Sequence, residues 1–432
     1  MSLLIAIFNL LRILLLGIFC TIFYPLLKNK SVYLFLYFSG PSFIKLGQAL
    51  ATRPDLVGQQ LSNILANFQD KLKPFPNNKV RKIINNEFKN FNEIFIDFNY
   101  NAAASASIAQ VHKAQLKNRD YVAVKILRPN IQKIVKRDIK TLEFIIKIVK
   151  FFSPFFSRSL NDINQVLKDT AKSELNLLKE ASYALRLKND LSHISGFYVP
   201  KIYLEYSCEK ILVSEWIDGI PFSDKEMIRS SKFDKKEIAK NLVISYFTQV
   251  YSNGFFHADM HPGNLFLMKN GNIAVVDFGI MGEIDKKLRL SIAEIFIAFL
   301  NKDYKKVAQI HIDCGLVDKT VNVFDLALSC QKIGEKIVDV SVKEISLASL
   351  LTSLITMTHD YQMSTKPELL LLQKTLLLVE GVGVMIDEDL NIWDLARPWV
   401  KEWAKKNIGF DAKIRDALIN FFENIKDIIK NN

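Results

Sequence analysis

Eight consecutive residues, His257-Ala258-Asp259-Met260-His261-Pro262-Gly263-Asn264, gather an aspartate, two histidines and an asparagine. A short apolar run then leads to Asp277-Phe278-Gly279. These are the residue types that phosphoryl transfer requires. Phosphate oxygens are neutralised by magnesium, a hard cation that takes oxygen ligands. Asp277 offers a carboxylate and Asn264 an amide oxygen. Asp259 can take a proton from, or orient, an attacking hydroxyl or water. Upstream, Val122-Ala123-Val124-Lys125 places a lysine on an apolar strand. Asp-Phe-Gly alone recurs by chance; both motifs together, in this order, are a strong signal. His257 and His261 read as loop scaffolding, since Nδ1 of either ring can fix the loop through a backbone hydrogen bond. His112, His193, His311 and His359 show no metal-ligand spacing.

An aspartate, an asparagine five residues on, then Asp-Phe-Gly is the order of the protein-kinase catalytic loop and metal motif. Val122 to Lys125 matches the strand that presents the phosphate-contacting lysine. That lysine should pair with a helical glutamate, and Glu174 and Glu180 are the candidates, both in a helix predicted over Ala171 to Asp190. In place of a glycine-rich loop the chain has Ala102-Ala103-Ala104-Ser105-Ala106-Ser107-Ile108-Ala109-Gln110. Alanine lacks the freedom of glycine at positive φ, so this loop should hug phosphates less freely and could select among nucleotide states. After Gly279 a helical pattern resumes at Asp285 to Asn301, and no Ala-Pro-Glu comes after it. Without a long activation segment, a small or lipid substrate, or hydrolysis of ATP, is easier to accommodate than a peptide.

The alanine-rich loop and His-Ala-Asp-x-His-Pro-Gly-Asn together resemble the UbiB/AarF/ADCK family of atypical kinase-like proteins. Lys45-Leu46-Gly47-Gln48, with Thr52-Arg53-Pro54-Asp55-Leu56 after it, resembles the family's third mark, and Glu174-Leu175-Asn176 with Glu180-Ala181 its Glu-x-Asp region. Leu390-Asn391-Ile392-Trp393 and Ala396-Arg397-Pro398 extend the resemblance to about residue 400.

The resemblance implies a bilobal kinase-like fold of the α+β class with an N-terminal helical extension and a helical C-terminal lobe. It implies ATP or ADP with Mg2+ as ligands. Asp259 and Lys125 would be catalytic, and Asn264 and Asp277 would hold metal. The nucleotide would lie against Ala102, Ala103, Ala104, Ser105, Ala106, Ser107, Lys125, Glu180 and Glu215. A helix carrying Lys45, Gly47 and Gln48 would fold over the nucleotide site, with Lys45 on Glu174 and Lys125 on Glu180. Two positions depart from the family pattern. Asn176 stands where aspartate is usual, removing one carboxylate facing Lys45, and Met260 replaces a proline. The family's usual pair of C-terminal membrane helices is not seen in the sequence. The function implied is an ATPase or atypical kinase supporting ubiquinone biosynthesis, with membrane lipid, polyisoprenoid quinone intermediates and other ubiquinone-biosynthesis proteins as partners. A small-molecule or lipid kinase and a nucleotide-sensing scaffold without turnover are the alternatives. No flavin, haem or non-haem iron motif supports a hydroxylase.

The elements that must position these residues are read from periodicity. Residues 31–100 read as helices, broken at Gly40-Pro41, Arg53-Pro54 and Lys73 to Pro76. Residues 102–128 read as a β-hairpin turning at Lys117 to Asp120, and residues 130–193 as helical. Short strands are predicted around Tyr198 to Tyr203 and Ile211 to Trp216, and an amphipathic helix over residues 235–253. After residue 283 the pattern is almost wholly helical. It ends in Ile414 to Ile429, which places Leu418, Phe421, Phe422, Ile425 and Ile429 on one face, as for a docked terminal helix, with membrane contact as the alternative. The implied domains are 1–30, 31–100, 101–220 and 221–432.

Bulk composition points to a membrane. Hydrophobic residues make up 49%, the formal net charge is +12 and the mean hydropathy is +0.11. A basic chain suits nucleic acid or an anionic lipid surface, and no nucleic-acid-binding motif accompanies these charges. Leu3 to Leu27 contains Asn9 and Arg12 but no acid, and its uninterrupted part, Ile13 to Leu27, is shorter than the roughly 20 residues of a spanning helix. No small-residue cleavage site comes after it. Lys28, Lys30 and Lys45 are next and favour a cytoplasmic location for the rest of the chain. The expected location is the bacterial inner membrane, with the catalytic domain on the cytoplasmic side. The four scattered cysteines, without a CxxC pair, fit a reducing compartment.

Overall fold

The computed structural model describes residues 2–51, 53–66, 72–88, 90–152, 154–338, 353, 367–388 and 390–407. The chain divides into two units. The first comprises Met1–Arg186, Pro200–Ile217 and Asp277–Gly279; the second comprises Leu187–Val199, Asp218–Val276 and Ile280–Asn432. The structure is α+β, with antiparallel pairing dominating its sheets.

The first unit opens with helices α1 (Ser2–Ile22), α2 (Tyr24–Leu27), α3 (Asn29–Ser39), α4 (Pro41–Leu50), α5 (Pro54–Val57), α6 (Gln59–Ala66), α7 (Asn77–Glu87) and α8 (Phe91–Ile94). The stretch expected to be helical to residue 100 ends sooner, because β1 (Phe95–Phe98) already belongs to the sheet. Phe95 and Phe98 are buried against Leu116 and Val122, and that burial outweighs the helical pattern before it. Strands β2 (Ala104–Ser105), β3 (Ala109–Leu116) and β4 (Tyr121–Leu127) come next. After them are α9 (Ile131–Phe152), α10 (Pro154–Glu174) and α11 (Leu177–Asp190), the last running across the boundary between the units. In the second unit lies β5 (Phe197–Tyr198). The strand predicted from Tyr198 to Tyr203 thus shrinks to two residues, and a 3-10 turn forms at Leu204–Tyr206. Strand β6 (Ile211–Glu215) returns to the first sheet. The order is β1-β3-β4-β6 with β2 on β3.

Side chains alternate across a strand, and this alternation positions Lys125. Val122, Val124 and Ile126 are completely buried in a core that includes Val80 and Ile84 of α7. Lys125 therefore emerges on the opposite face, paired in register with Val111 and Leu212.

The single helix expected from Ala171 to Asp190 is two helices. α10 ends at Glu174, and the Asn176 side chain accepts the Leu178 amide at 3.0 Å, which starts α11 as an N-cap. A second core joins Ile13, Leu36, Phe43, Leu46, Leu142 and Leu167. Gly47 packs closely there: a Cβ would come within 2.7 Å of the Leu36 side chain, which would have to shift.

The second unit continues with β7 (Gly219–Pro221), α12 (Lys225–Ser230) and α13 (Lys235–Phe247). The helix predicted through residue 253 loosens into a π-helical turn at Thr248–Asn253. Strands β8 (Phe255–His257), β9 (Leu265–Met268), β10 (Ile273–Val275) and β11 (Met281–Glu283) precede α14 (Lys286–Leu300), α15 (Tyr304–Asp313), α16 (Val323–Val338), α17 (Pro367–Ile386) and α18 (Ile392–Asn407). The sheet order is β5-β10-β9-β7, and β8 pairs with β11. α18 docks on α13 through stacked Trp399 and Trp403, which meet Phe247 and Tyr251. The helix expected over Ile414 to Ile429, and His359, lie outside the described residues.

α1 packs one side on its own unit. Ile13 and Cys20 are buried, and Asn9 donates to Asp138 Oδ1 at 3.2 Å and Thr141 Oγ1 at 3.0 Å. Its other side leaves Leu11, Leu14, Leu15, Ile18, Phe19 and Ile22 exposed. Among the described residues one helix, α17, is long and apolar enough to cross a membrane, and half of it is buried.

Candidate active site

In the first unit, the Nζ of Lys125 donates to Glu180 at 2.8 and 2.9 Å and to Asp277 Oδ1 at 2.8 Å. Glu180 sits in the first turn of α11, so the break at Asn176 sets its place. Of the two candidate partners, Lys125 takes Glu180. Glu174, at the end of α10, instead meets the Lys45 ammonium at 3.0 Å. Lys45, expected to act as a juxtamembrane cation as well, is thus engaged within the unit, while Lys28 and Lys30 are exposed. Gln48 lies on the same helix, half-buried.

One ammonium serves two carboxylates here, and the imbalance appears in their acidities. Burial works against the charge of Lys125, but Asp277 and then Glu180 more than offset it and raise its pKa. Burial pushes Glu180 up, Lys125 pulls it down, and Asp277 and Glu174 add negative charge, leaving it at about 7. Asp277 holds φ +64°, a left-handed conformation that aspartate adopts more readily than most residues other than glycine. Its Oδ1 also accepts the Gly279 amide at 3.4 Å.

The alanine-rich loop is a fragment of strand pinned at both ends. Ala104 pairs with Val111 and Ser105 with Gln110. Ala103 donates to the Val111 carbonyl at 2.8 Å, and Ala106 to that of Ala109 at 2.9 Å. Arg128 clamps the Ala106 carbonyl at 2.8 and 3.0 Å and the Ser105 hydroxyl at 3.0 Å. Ala103 and Ala104 are exposed, Ala102 is half-buried, and Ser107 is fully buried, its side chain facing the interior. Glu215, at the end of β6, accepts the Lys201 amide at 3.0 Å.

In the second unit, the loop 257–264 is held by its own histidines. The Asp259 amide donates to His257 Nδ1 at 3.2 Å, and the Gly263 amide to His261 Nδ1 at 2.9 Å. The latter contact requires glycine, because a Cβ at residue 263 would lie 2.7 Å from the His261 ring. The His257 amide donates to Gln249 Oε1 at 2.9 Å, from the π-helical turn, a feature that recurs at functional sites. Met260 is fully buried. The Asn264 side-chain amide donates to the Asp259 carbonyl at 3.0 Å, leaving its Oδ1 outside that bond. Hairpin β9–β10 closes with Val276 donating to the Asn264 carbonyl at 2.9 Å, one residue before Asp277.

The Asp259 carboxylate has a partner that sequence reading missed. Lys374 of α17 donates to its Oδ1 at 3.0 Å. Burial pushes the Asp259 carboxyl up, but Lys374 and then His261 pull it below its ordinary value. The available signal was a lone lysine amid leucines, Leu369-Leu370-Leu371-Leu372-Gln373-Lys374. No spacing rule links it to residue 259.

A strand-borne lysine on a helical glutamate, an Asp-Phe-Gly aspartate and an Asp-to-Asn catalytic loop define a protein-kinase-like protein. Comparison with known proteins makes this specific. Residues 67–311 match the ABC1 atypical kinase-like domain, and residues 330–391 match the UbiB helical domain. The chain is 38% identical to the probable protein kinase UbiB of Photorhabdus laumondii over 383 residues, covering 87% of this chain and 70% of that one. It is 34% identical to its counterpart in Histophilus somni over 427 residues, covering 93% and 78%. A solved Mycobacterium tuberculosis structure, Rv3197 in complex with erythromycin, shares the fold. Its TM-score is 0.55 at 23% identity, over 81% of this chain and 90% of that one. The chain belongs to the UbiB family of atypical kinase-like proteins.

Proposed function

We propose that this chain binds magnesium-ATP and turns it over in support of ubiquinone biosynthesis at a membrane. The observation that carries the reading is Lys125 held between Glu180 and a left-handed Asp277. A lysine so fixed can contact nucleotide phosphates, and the surplus carboxylate calls for a cation. Asp277 and the Asn264 amide oxygen are hard donors of the kind magnesium accepts alongside phosphate and water. Bound magnesium neutralises phosphate charge. The chain's own residues do the rest. Lys125 orients phosphate, exposed Ala103 and Ala104 border it, and Asp259 takes a proton from the attacking oxygen. Glu215, at the end of β6, completes the nucleotide-binding set. Lys45 on Glu174 holds the α4 lid, with Gly47 letting that helix pack closely and Gln48 beside it.

A peptide acceptor finds little support, since only residues 280–285 separate Gly279 from α14. A lipid or small-molecule acceptor, or water, fits better. The exposed apolar side of α1, beside exposed Lys28 and Lys30, suits an interfacial helix lying in the inner membrane's cytoplasmic surface. Its hydrogen-bonded inner side argues against crossing. Polyisoprenoid quinone intermediates would meet the protein there, as would other ubiquinone-biosynthesis proteins.

The test is phosphate release by the purified full chain, with and without anionic liposomes and a quinone precursor, against Asp259→Asn. Turnover that rises with liposomes and falls steeply in the variant supports the reading. Label transferred to a lipid extract makes the chain a lipid kinase. Binding of ATP with no turnover makes it a nucleotide-sensing scaffold.

A further inference from the structure

Lys374 lies midway along α17, a 20-residue helix whose neighbouring Leu372, Thr375 and Leu376 are buried. A charge in such a helix is costly unless it is paired and hydrogen-bonded. Lys374 has a single hydrogen bond among the described residues, to Asp259 Oδ1 at 3.0 Å. Its helix is fixed nearby, since the Tyr246 hydroxyl donates to the Leu372 carbonyl at 3.1 Å. The ammonium is therefore delivered from a firmly held element, as a residue setting catalytic geometry should be.

The two oxygens of Asp259 have different surroundings. Oδ1 takes Lys374. Oδ2 accepts no hydrogen bond among the described residues, and the His261 Nε2 lies 3.8 Å from it. The loop 257–264 contains no lysine or arginine to make this distinction itself. Lys374 comes from the segment matching the UbiB helical domain, outside the kinase-like match.

We propose that Lys374 is a positioning residue for phosphoryl transfer: it anchors Asp259 Oδ1 so that Oδ2 faces the attacking oxygen as the base. The helical domain thereby completes the catalytic loop. This rests on the reading of the chain as an enzyme acting on ATP. In that reaction the attacking oxygen bonds to the γ-phosphorus and the bond to the β–γ bridging oxygen breaks. The electron pair leaves with ADP, and the proton passes to Oδ2. An ion pair serving only to hold α17 in place would affect melting but not the chemical step.

The experiment compares the full-length wild type, K374Q, K374R, D259N and the K374Q/D259N double variant in magnesium-ATP turnover. Melting curves and affinity for a fluorescent ATP analogue are measured in parallel. K374Q is expected to lower kcat by about tenfold or more, within the range of general-base effects, with KM and analogue affinity within about threefold. K374R, which keeps the charge but moves the donor atoms, should fall about three- to tenfold and exceed K374Q. The double variant should be no slower than D259N. K374Q at the wild-type rate, or losses that multiply in the double variant, overturns the proposal. If K374Q does not fold, K374R at the wild-type rate overturns it instead. A wild type no faster than D259N defeats the ATP reading first, and the role of Lys374 falls with it.

Discussion

The first unit gathers more carboxylate than its lysines neutralise, whereas the second sets one lysine and two histidines around a single carboxylate. Around Lys125 stand Glu180 and Asp277, with Glu174 close enough to raise the Glu180 pKa. Around Asp259 stand Lys374 and the two histidines of its own loop. An anion-rich cluster attracts a cation and, through it, phosphate. Neighbouring positive charge keeps a carboxyl ionised, as a group that orients an attacking hydroxyl or water must be, while lowering its own affinity for a proton. Under the proposed function the contrast separates binding from turnover, and each side can be broken alone.

The largest effect is expected from Asp277→Asn. Removing the anionic ligand should weaken magnesium-dependent ATP binding by about a hundredfold or more. Titration calorimetry with and without magnesium measures this. Asp259→Asn should leave that affinity within about threefold while lowering phosphate release by about a hundredfold or more, to a small residual rate. Unchanged magnesium-dependent affinity in Asp277→Asn would remove the first cluster from metal binding.

Next in size is the ion pair between Lys45 and Glu174. Both side chains are largely buried, at 17% and 7% exposure, so truncating one partner strands the other at a cost of roughly 3–5 kcal/mol. Lys45→Ala and Glu174→Gln should each alter the ATP-to-ADP preference, and the double variant should be little worse than either. Simple additivity in a double-mutant cycle on nucleotide affinity would disconnect α4 from the nucleotide site.

Legibility in the sequence divides along the same contrast. The loop 257–264, the Asp-Phe-Gly motif and the lysine strand are local patterns, and strand alternation alone sends Lys125 away from the core. The pairing of Lys125 with Glu180 rather than Glu174 rested on family resemblance. Physically it is set by Asn176, whose capping bond splits the predicted helix and gives each glutamate its own lysine. β1 was hidden because Phe91, Phe95 and Phe98 also fit a helical period, and only the sheet's core decides between them. Lys374 was illegible for a deeper reason. Its partner is more than a hundred residues away, and a lysine in a leucine-rich helix carries no sign of what it meets.

A smaller effect concerns pH. Glu180 is raised to about 7, mainly by burial. An unfolded glutamate titrates at about 4.3, so between these values the folded state holds more protons. Stability should therefore be highest below the unfolded value and decline as pH rises through about 7, with a slope of at most about 1.4 kcal/mol per pH unit from this group. Glu180→Gln cannot titrate, so its denaturant midpoint should vary less over pH 5–7 than that of the wild type. Parallel pH dependences in the two proteins would mean that Lys125 and solvent satisfy Glu180 fully.

The smallest effect belongs to the alanine-rich loop. Ala104 is exposed and paired with Val111, while Arg128 and the amides of Ala103 and Ala106 hold the loop on either side. Its exposed methyl group leaves no core cavity behind in Ala104→Gly, so the change acts on backbone freedom, roughly 0.5–1 kcal/mol. That corresponds to about a two- to fivefold change in nucleotide affinity. The sign should differ between ATP and ADP, because a freer loop can wrap a third phosphate that the pinned loop meets less well. Paired measurements of ATP and ADP affinity on Ala103→Gly and Ala104→Gly read this ratio directly. If both ratios equal that of the wild type, the loop is a strand edge that leaves phosphate recognition to Lys125. The anion-rich cluster would then account for binding without it.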